Sequence, residues 1–270
     1  MSIILTYFCA QVRKMKDFTY QKYQELLKAL KQKGYTFQTF SQFLSHPADR
    51  SVMLRHDVDD LRFHSLHFAL LQRELEVVGT YYFRMVPESF DVKLMKEIEQ
   101  MGHEVGYHYE DMDFANGDID QAYGLFEKHL DQMRAVVNVK TICMHGSPKS
   151  RYDNKDVWKK YRYQDSGIVG EPYFDLDYNQ VFYITDTGRR WDGFKVSVRD
   201  KVVTEKKFPI YQTTEDIIQA IKNDRFPQQV MMNFHPQRWM DPGFAWWKEK
   251  VIQWIKNQVK YGLIQIRKKD

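Results

Sequence analysis

Cysteine is nearly absent from this 270-residue chain, Cys9 and Cys143 being the only two. That excludes a disulfide framework and any zinc site built from several thiolates. Long apolar runs are missing too: no window approaches the roughly 20 apolar residues of a membrane span. The opening Met1-Ser2-Ile3-Ile4-Leu5-Thr6-Tyr7-Phe8-Cys9-Ala10 is apolar but has no basic start, and basic residues follow it. A signal peptide has the reverse order, so a cytoplasmic location is expected. Charge is not concentrated. Forty Lys and Arg against 36 Asp and Glu give +4, but only Arg267-Lys268-Lys269 forms a basic run, and a nucleic-acid binder is expected to show a stripe. There is no low-complexity linker, internal repeat or compositional break, so residues 1–270 read as one domain.

What is present is alternation. Tyr23, Leu26, Leu27 and Leu30 follow helical spacing, with Thr19 as N-cap and Gly34 as stop. Val52-Met53-Leu54 reads as a buried strand, and a helix through Leu66, Leu70 and Leu75 follows it. Thr80-Tyr81-Tyr82-Phe83 is the next strand. Ser89 is placed to cap a helix to Met101, Gly102 breaks it, and 104–109 is strand-like. A helix over 119–136 leads to the strand Thr141-Ile142-Cys143-Met144. The middle of the chain is less regular, with strands over 181–184 and 194–198. Thr214 starts a helix, 229–234 is a strand, and Asp241-Pro242 opens an amphipathic helix. Its apolar face, Trp247, Val251, Trp254 and Ile255, reads as packing against the body. Strands alternating with helices imply parallel pairing with covered faces. In one linker-free domain of this length, a closed or nearly closed α/β barrel is expected. No Gly-rich phosphate loop follows the first strand, which argues against a nucleotide site.

Reactive side chains gather at the carboxyl ends of four strand candidates. The first ends in His56, Asp57 and Asp59, and the 104–109 strand in His108 and Glu110. The next ends in His145-Gly146-Ser147-Pro148, and the last in His235-Pro236-Gln237-Arg238-Trp239. In a parallel barrel these ends share the face where such folds do chemistry. Asp57 and Asp59 are two apart, so in an extended segment both carboxylates face one way. Close carboxylates repel unless an ion or a proton sits between them. A metal held by one carboxylate and an imidazole, with open positions, activates water, and the second carboxylate can take that water's proton. Asp60 is placed to cap the helix that follows.

At these residues the chain resembles the polysaccharide deacetylase family, also called the NodB-homology or carbohydrate esterase group four, from Val52 to about Trp239. The most specific match is Gly102-His103-Glu104-Val105-Gly106-Tyr107-His108. The resemblance implies a distorted (β/α) barrel of mostly parallel strands and a metal-dependent hydrolase. Its reaction would be removal of an N-acyl, chiefly N-acetyl, group from a sugar or polysaccharide intermediate. It implies Asp57 as catalytic base, Asp59 and His108 as ligands of a divalent ion, with zinc favoured, and His235 as the acid that protonates the leaving group. His103, before the strand, reads as structural. The family's second ligand histidine falls at Met112 here, and a thioether is a poor ligand for such an ion. His145 and Glu110 are equal candidates to complete the site, with Asp111 and Asp113 behind them. Arg190 and Trp191, in Arg189-Arg190-Trp191-Asp192-Gly193, and Arg238 are expected to bind substrate, an anionic or nucleotide-linked sugar suiting the first two. Two rival readings stand beside this one: a hydrolase of a non-sugar C–N bond, and a carbohydrate-binding relic without catalysis.

Overall fold

A strand buried on both faces reads as a continuous apolar run, and the second strand of this protein departs from that rule most strongly in three consecutive residues. The computed structural model describes residues 16–147, 150–192 and 202–267, with side chains in the last helix to 258. The strand expected over 194–198, Gly193 and Pro148 lie outside the described residues. In chain order the elements are α1 (Tyr20–Gln32), β1 (Thr36–Phe37), α2 (Phe40–Ser45), β2 (Ser51–Val58), α3 (Phe63–Glu74), β3 (Thr80–Phe83), α4 (Val92–Gln100), β4 (Glu104–Tyr109), α5 (Asp111–Phe114) and α6 (Ile119–Arg134). They continue as β5 (Ile142–Met144), α7 (Pro172–Asp175), β6 (Phe182–Thr185), α8 (Thr214–Lys222), β7 (Gln229–Phe234) and α9 (Phe244–Arg267). Every residue of β2 is buried, yet Arg55, His56 and Asp57 stand in its middle.

The strands form one parallel sheet in the order β5-β4-β3-β2-β7-β6, with β1 paired to the start of β2. The sheet curls into a half-barrel wrapped by helices, a distorted (β/α) barrel. Alternation decides which side chains enter it. Val52, Leu54, His56 and Val58 face outward, into a core shared with Tyr23, Leu26, Leu27 and Leu30 of α1 and Phe68 of α3. Met53, Arg55 and Asp57 face inward. Met53 joins Phe40, Phe43, Leu176, Tyr178, Val181 and Met231 in a second apolar cluster that closes the floor. Beside this floor Thr80, Glu104 and Thr141 bond to one another and to the Phe40 amide, whereas Arg55, Asp57 and Asn233 lie higher, toward the carboxyl ends of the strands.

Most boundaries fall where capping chemistry puts them. Thr19 caps α1, its side chain accepting from the Lys22 amide. Ser89 does not cap α4; Asp91 does, accepting from Leu94 N. Ser89 instead donates to Val58 O and accepts from Arg84 N, tying β2 to β3. Asp60 likewise caps no helix: it accepts from the Leu61 amide, and α3 starts without a side-chain cap.

Helix α9 departs most from expectation. Among its described side chains Trp246 and Gln253 are the buried ones, while Trp247 and Trp254 are 53% and 63% exposed, and Val251 and Ile255 are exposed beside them. The helix is thus turned by about one residue, or 100°, from the packing read in the sequence. Polar partners fix that rotation. The Trp246 indole donates to Asp17 O, Arg189 donates to Trp246 O, and Asn257 donates to Gly188 O.

Candidate active site

At the top of the barrel, β2 delivers Asp57 and then Asp59, β4 delivers His108, β5 leads into His145, and β7 leads into His235. The register sets Asp57 beside Tyr82, Tyr82 beside Gly106, His108 beside Cys143, and Arg55 beside Asn233. Gly106 leaves the room this requires: a Cβ there would lie 2.5 Å from the Tyr82 ring and 2.6 Å from Thr141 O.

Asp57 is buried and pinned. Arg55 grips both its oxygens, Nε to Oδ1 at 2.8 Å and Nη2 to Oδ2 at 2.7 Å, and Asn233 donates to Oδ2 at 3.0 Å. Burial alone would raise its pKa, but the charge and hydrogen bonds of Arg55 outweigh burial and hold it at about 2. Asp57 is therefore ionised at any ordinary pH. Arg55 is almost fully buried, its guanidinium also meeting the Tyr173 hydroxyl. A buried arginine with no carboxylate would be very costly, so the two residues are one unit.

Three donor atoms converge beside this pair. Asp59 Oδ1 lies 3.4 Å from His108 Nε2 and 3.2 Å from His145 Nδ1, and those two nitrogens are 3.3 Å apart. A tetrahedral ion with bonds of about 2.0–2.1 Å has ligand atoms about 3.3 Å apart, so the triangle has the dimensions of one tetrahedral face. The donors suit an ion in their chemistry as well. His108 Nδ1 donates to Cys143 O at 2.8 Å, which leaves the Nε2 lone pair for a ligand role. Asp59 Oδ1 is buried and accepts no hydrogen bond. Such an oxygen, facing imidazole nitrogens, is costly without a cation. A second grouping, Asp57, His108 and Cys143, is also close enough for an ion, but the oxygens of Asp57 are already occupied by Arg55 and Asn233.

The remaining sequence-derived candidates divide sharply. Glu110 stands behind the donors, because Arg84 takes both its oxygens at 2.8 and 2.7 Å. Arg84 also donates to Asp59 O, bracing the end of β2. Met112 lies in α5, buried in the outer core and turned away from the mouth. Asp111 accepts from the Tyr107 hydroxyl and meets His129, and Asp113 accepts from Asn154, so neither reaches the donors. Of the other histidines, His56 faces outward, bonded to Thr80 O, the Tyr23 hydroxyl and Gln72. His103 accepts from Gly79 N and donates to Ala69 O, a structural tie between segments.

His235 closes the far side of the mouth, its Nε2 3.8 Å from Asp59 Oδ2. Its Nδ1 donates to Asp186 Oδ1 at 2.6 Å. Asp186 is fully buried and also accepts from the Trp239 indole, Arg238 and the His235 amide. Burial works against its charge, but His235 and Arg238 keep its carboxyl below the usual range. Arg238 thus holds Asp186 beside the mouth. Arg190 is paired with Asp192. Trp191 is only 3% exposed, packed among Phe18, Phe234 and Trp239 with its indole on Thr214, and offers no face to a sugar.

Sequence reasoning missed Arg55, Asn233, Asp186 and Arg84. Two of these had a readable signal. Arg55 is two residues before Asp57 on the same strand face, and Asp186 follows directly on β6, as the other reactive residues follow their strands.

No protein family and no curated protein matches the chain in sequence. Among solved structures it is similar to BA3943 of Bacillus anthracis, a CE4 family pseudoenzyme, at 12% identity and a TM-score of 0.40, covering 80% of this chain and 63% of that one. It is similar to PdaA of Bacillus subtilis, a family 4 carbohydrate esterase, at 11% identity and 0.41, covering 86% and 83%. A CE4 esterase of Streptococcus mutans is similar at 15% identity and 0.41, covering 84% and 87%.

Proposed function

We propose that the protein is a metal-dependent hydrolase that removes an N-acyl group, chiefly N-acetyl, from a sugar or polysaccharide intermediate. The observation that carries this reading is the near-equilateral triangle of Asp59 Oδ1, His108 Nε2 and His145 Nδ1 with an ionised Asp57 beside it. Zinc is the favoured ion for one carboxylate and two imidazoles in that shape. When bound, it would supply Lewis acidity to the acyl carbonyl and to water.

The chain's own residues divide the remaining work. Arg55 and Asn233 fix the plane of the Asp57 carboxylate, so its oxygen is aimed before substrate arrives. Asp57 then accepts the proton of the attacking water. Its low proton affinity suits it to a water made acidic, and not to bulk water. Across the mouth, Asp186 fixes the His235 ring through Nδ1, so Nε2 faces the departing amine and can carry a proton to it. The proton given up on the Asp57 side is matched by one delivered on the His235 side.

Two measurements test the reading. Zinc content of Asp59→Ala, His108→Ala and His145→Ala should fall well below one per chain, and full occupancy in all three would sink the metal assignment. Asp57→Asn should keep its zinc and lose roughly 100- to 10,000-fold in acetate release from N-acetylglucosamine oligomers. Wild-type activity carried by that variant would remove Asp57 as the base.

A further inference from the structure

Helix α9 presents to solvent a stripe that a packed helix would bury. Phe244, Trp247, Val251, Trp254 and Ile255 are all exposed, Phe244 at 86%. At 3.6 residues per turn they share one face about 100° wide. The adjoining face, about 100° round the helix and running through Trp246, Gln253 and Asn257, is the one fastened to the body. We infer that this stripe is a docking surface for an anionic lipid membrane, on which α9 lies parallel to the bilayer plane.

Charge selects this occupant. Between residues 244 and 267 there are five basic residues, Lys248, Lys250, Lys256, Lys260 and Arg267, and one acid, Glu249. Lys248 and Lys250 are exposed and flank the stripe on its two sides, and Lys250 lies 5.0 Å from the rings of both Trp246 and Trp247. Tryptophan and phenylalanine on the apolar face, with lysine beside them, is the pattern of a helix that rests in the headgroup layer. A second copy of the chain fits less well: paired helices would set lysine against lysine, where a helical zipper needs opposite charges at the flanks. Among the described residues no helix is long and apolar enough to cross a bilayer.

Placement adds a second strand of support. Arg189 and Gly188, which hold α9 to the body, follow directly on Asp186. The helix is therefore fastened at the mouth end of the barrel. Leu61 and Phe63, 54% and 60% exposed, stand at that same end, just past Asp59.

The test is co-sedimentation of the full chain with vesicles of phosphatidylcholine alone and of phosphatidylcholine with phosphatidylglycerol. Binding is expected to the second kind, weakened by added salt. Trp247→Ala/Trp254→Ala and Lys248→Glu/Lys250→Glu should each lower it by roughly tenfold or more. Because these side chains are exposed, circular dichroism and thermal midpoint should match wild type, which separates lost docking from lost folding. A chain that leaves both kinds of vesicle unbound overturns the inference. So does a dimer, seen by light scattering, that the double tryptophan variant converts to monomer, for that result assigns the stripe to a second copy.

Discussion

Met112 occupies the position where the resembled family has a histidine, and its surroundings show why restoring one there would gain nothing. The side chain is buried in the outer core. Met112→His would bring an imidazole into apolar surroundings, at a cost of about 1–3 kcal/mol in urea unfolding. Zinc affinity should not rise, since in the proposed site His145 supplies the second imidazole; tighter zinc binding in this variant would show that α5 can turn toward the mouth. Gly106 is constrained from the other direction. Gly106→Ala places a methyl against the Tyr82 ring and Thr141 O. It should cost about 1–3 kcal/mol of stability and weaken zinc binding by displacing β4 below His108. Unchanged stability would mean that β3 and β4 can part without strain.

Between elements, the sheet's upper edge is tied by side chains that carry no chemistry themselves. Ser89 joins Val58 O to Arg84 N, so Ser89→Ala leaves two buried backbone groups wanting and should cost about 1–3 kcal/mol. Its effect on acetate release should exceed that of an equally destabilising change at the barrel floor, such as Phe43→Ala. Equal effects would mean that the tie is purely structural. This level of organisation is also where the sequence stops being readable. Strand ends were legible, because alternation fixes which way Asp57 and Asp59 face and the segment around His108 is distinctive. The withdrawal of Glu110 from the donor triangle was not, because it turns on Arg84, a residue 26 positions away. The rotation of α9 was not legible either. Apolar periodicity locates a helix's greasy face, and the partners of Trp246 and Asn257 decided that this face points to water. The aromatic Trp191 looked like a stacking surface in sequence and became core, because nothing local records how deep a loop residue will lie.

For the molecule as a whole, two buried histidines couple folding to acidity. His56 is pushed down to about 3 and His103 to about 4, burial being the main cause in both. In the unfolded chain each takes a proton near pH 6.5. Below that pH the unfolded state binds more protons, so stability falls as pH drops, and continues to fall until about pH 4 and 3. Each contributes a slope of up to about 1.4 kcal/mol per pH unit. Glu171 opposes them: buried, it is raised to about 7, so its contribution is largest below about 4.5 and is lost as pH rises to 7. Urea unfolding at pH 7, 6 and 5 should show His103→Gln with a flatter acid limb than wild type, and Glu171→Gln with a steeper one. Parallel curves for all three would assign acid sensitivity to other groups.

The imidazole of His108 takes its aim from the carbonyl of Cys143, an atom that every amino acid supplies. Exchange of the thiol for another small group therefore leaves the ring facing the same way, and a mutational hunt for the side chain that orients it will find none. What holds this nitrogen in place is the spacing of two neighbouring strands, so its alignment is inherited with the sheet and survives as long as the sheet does.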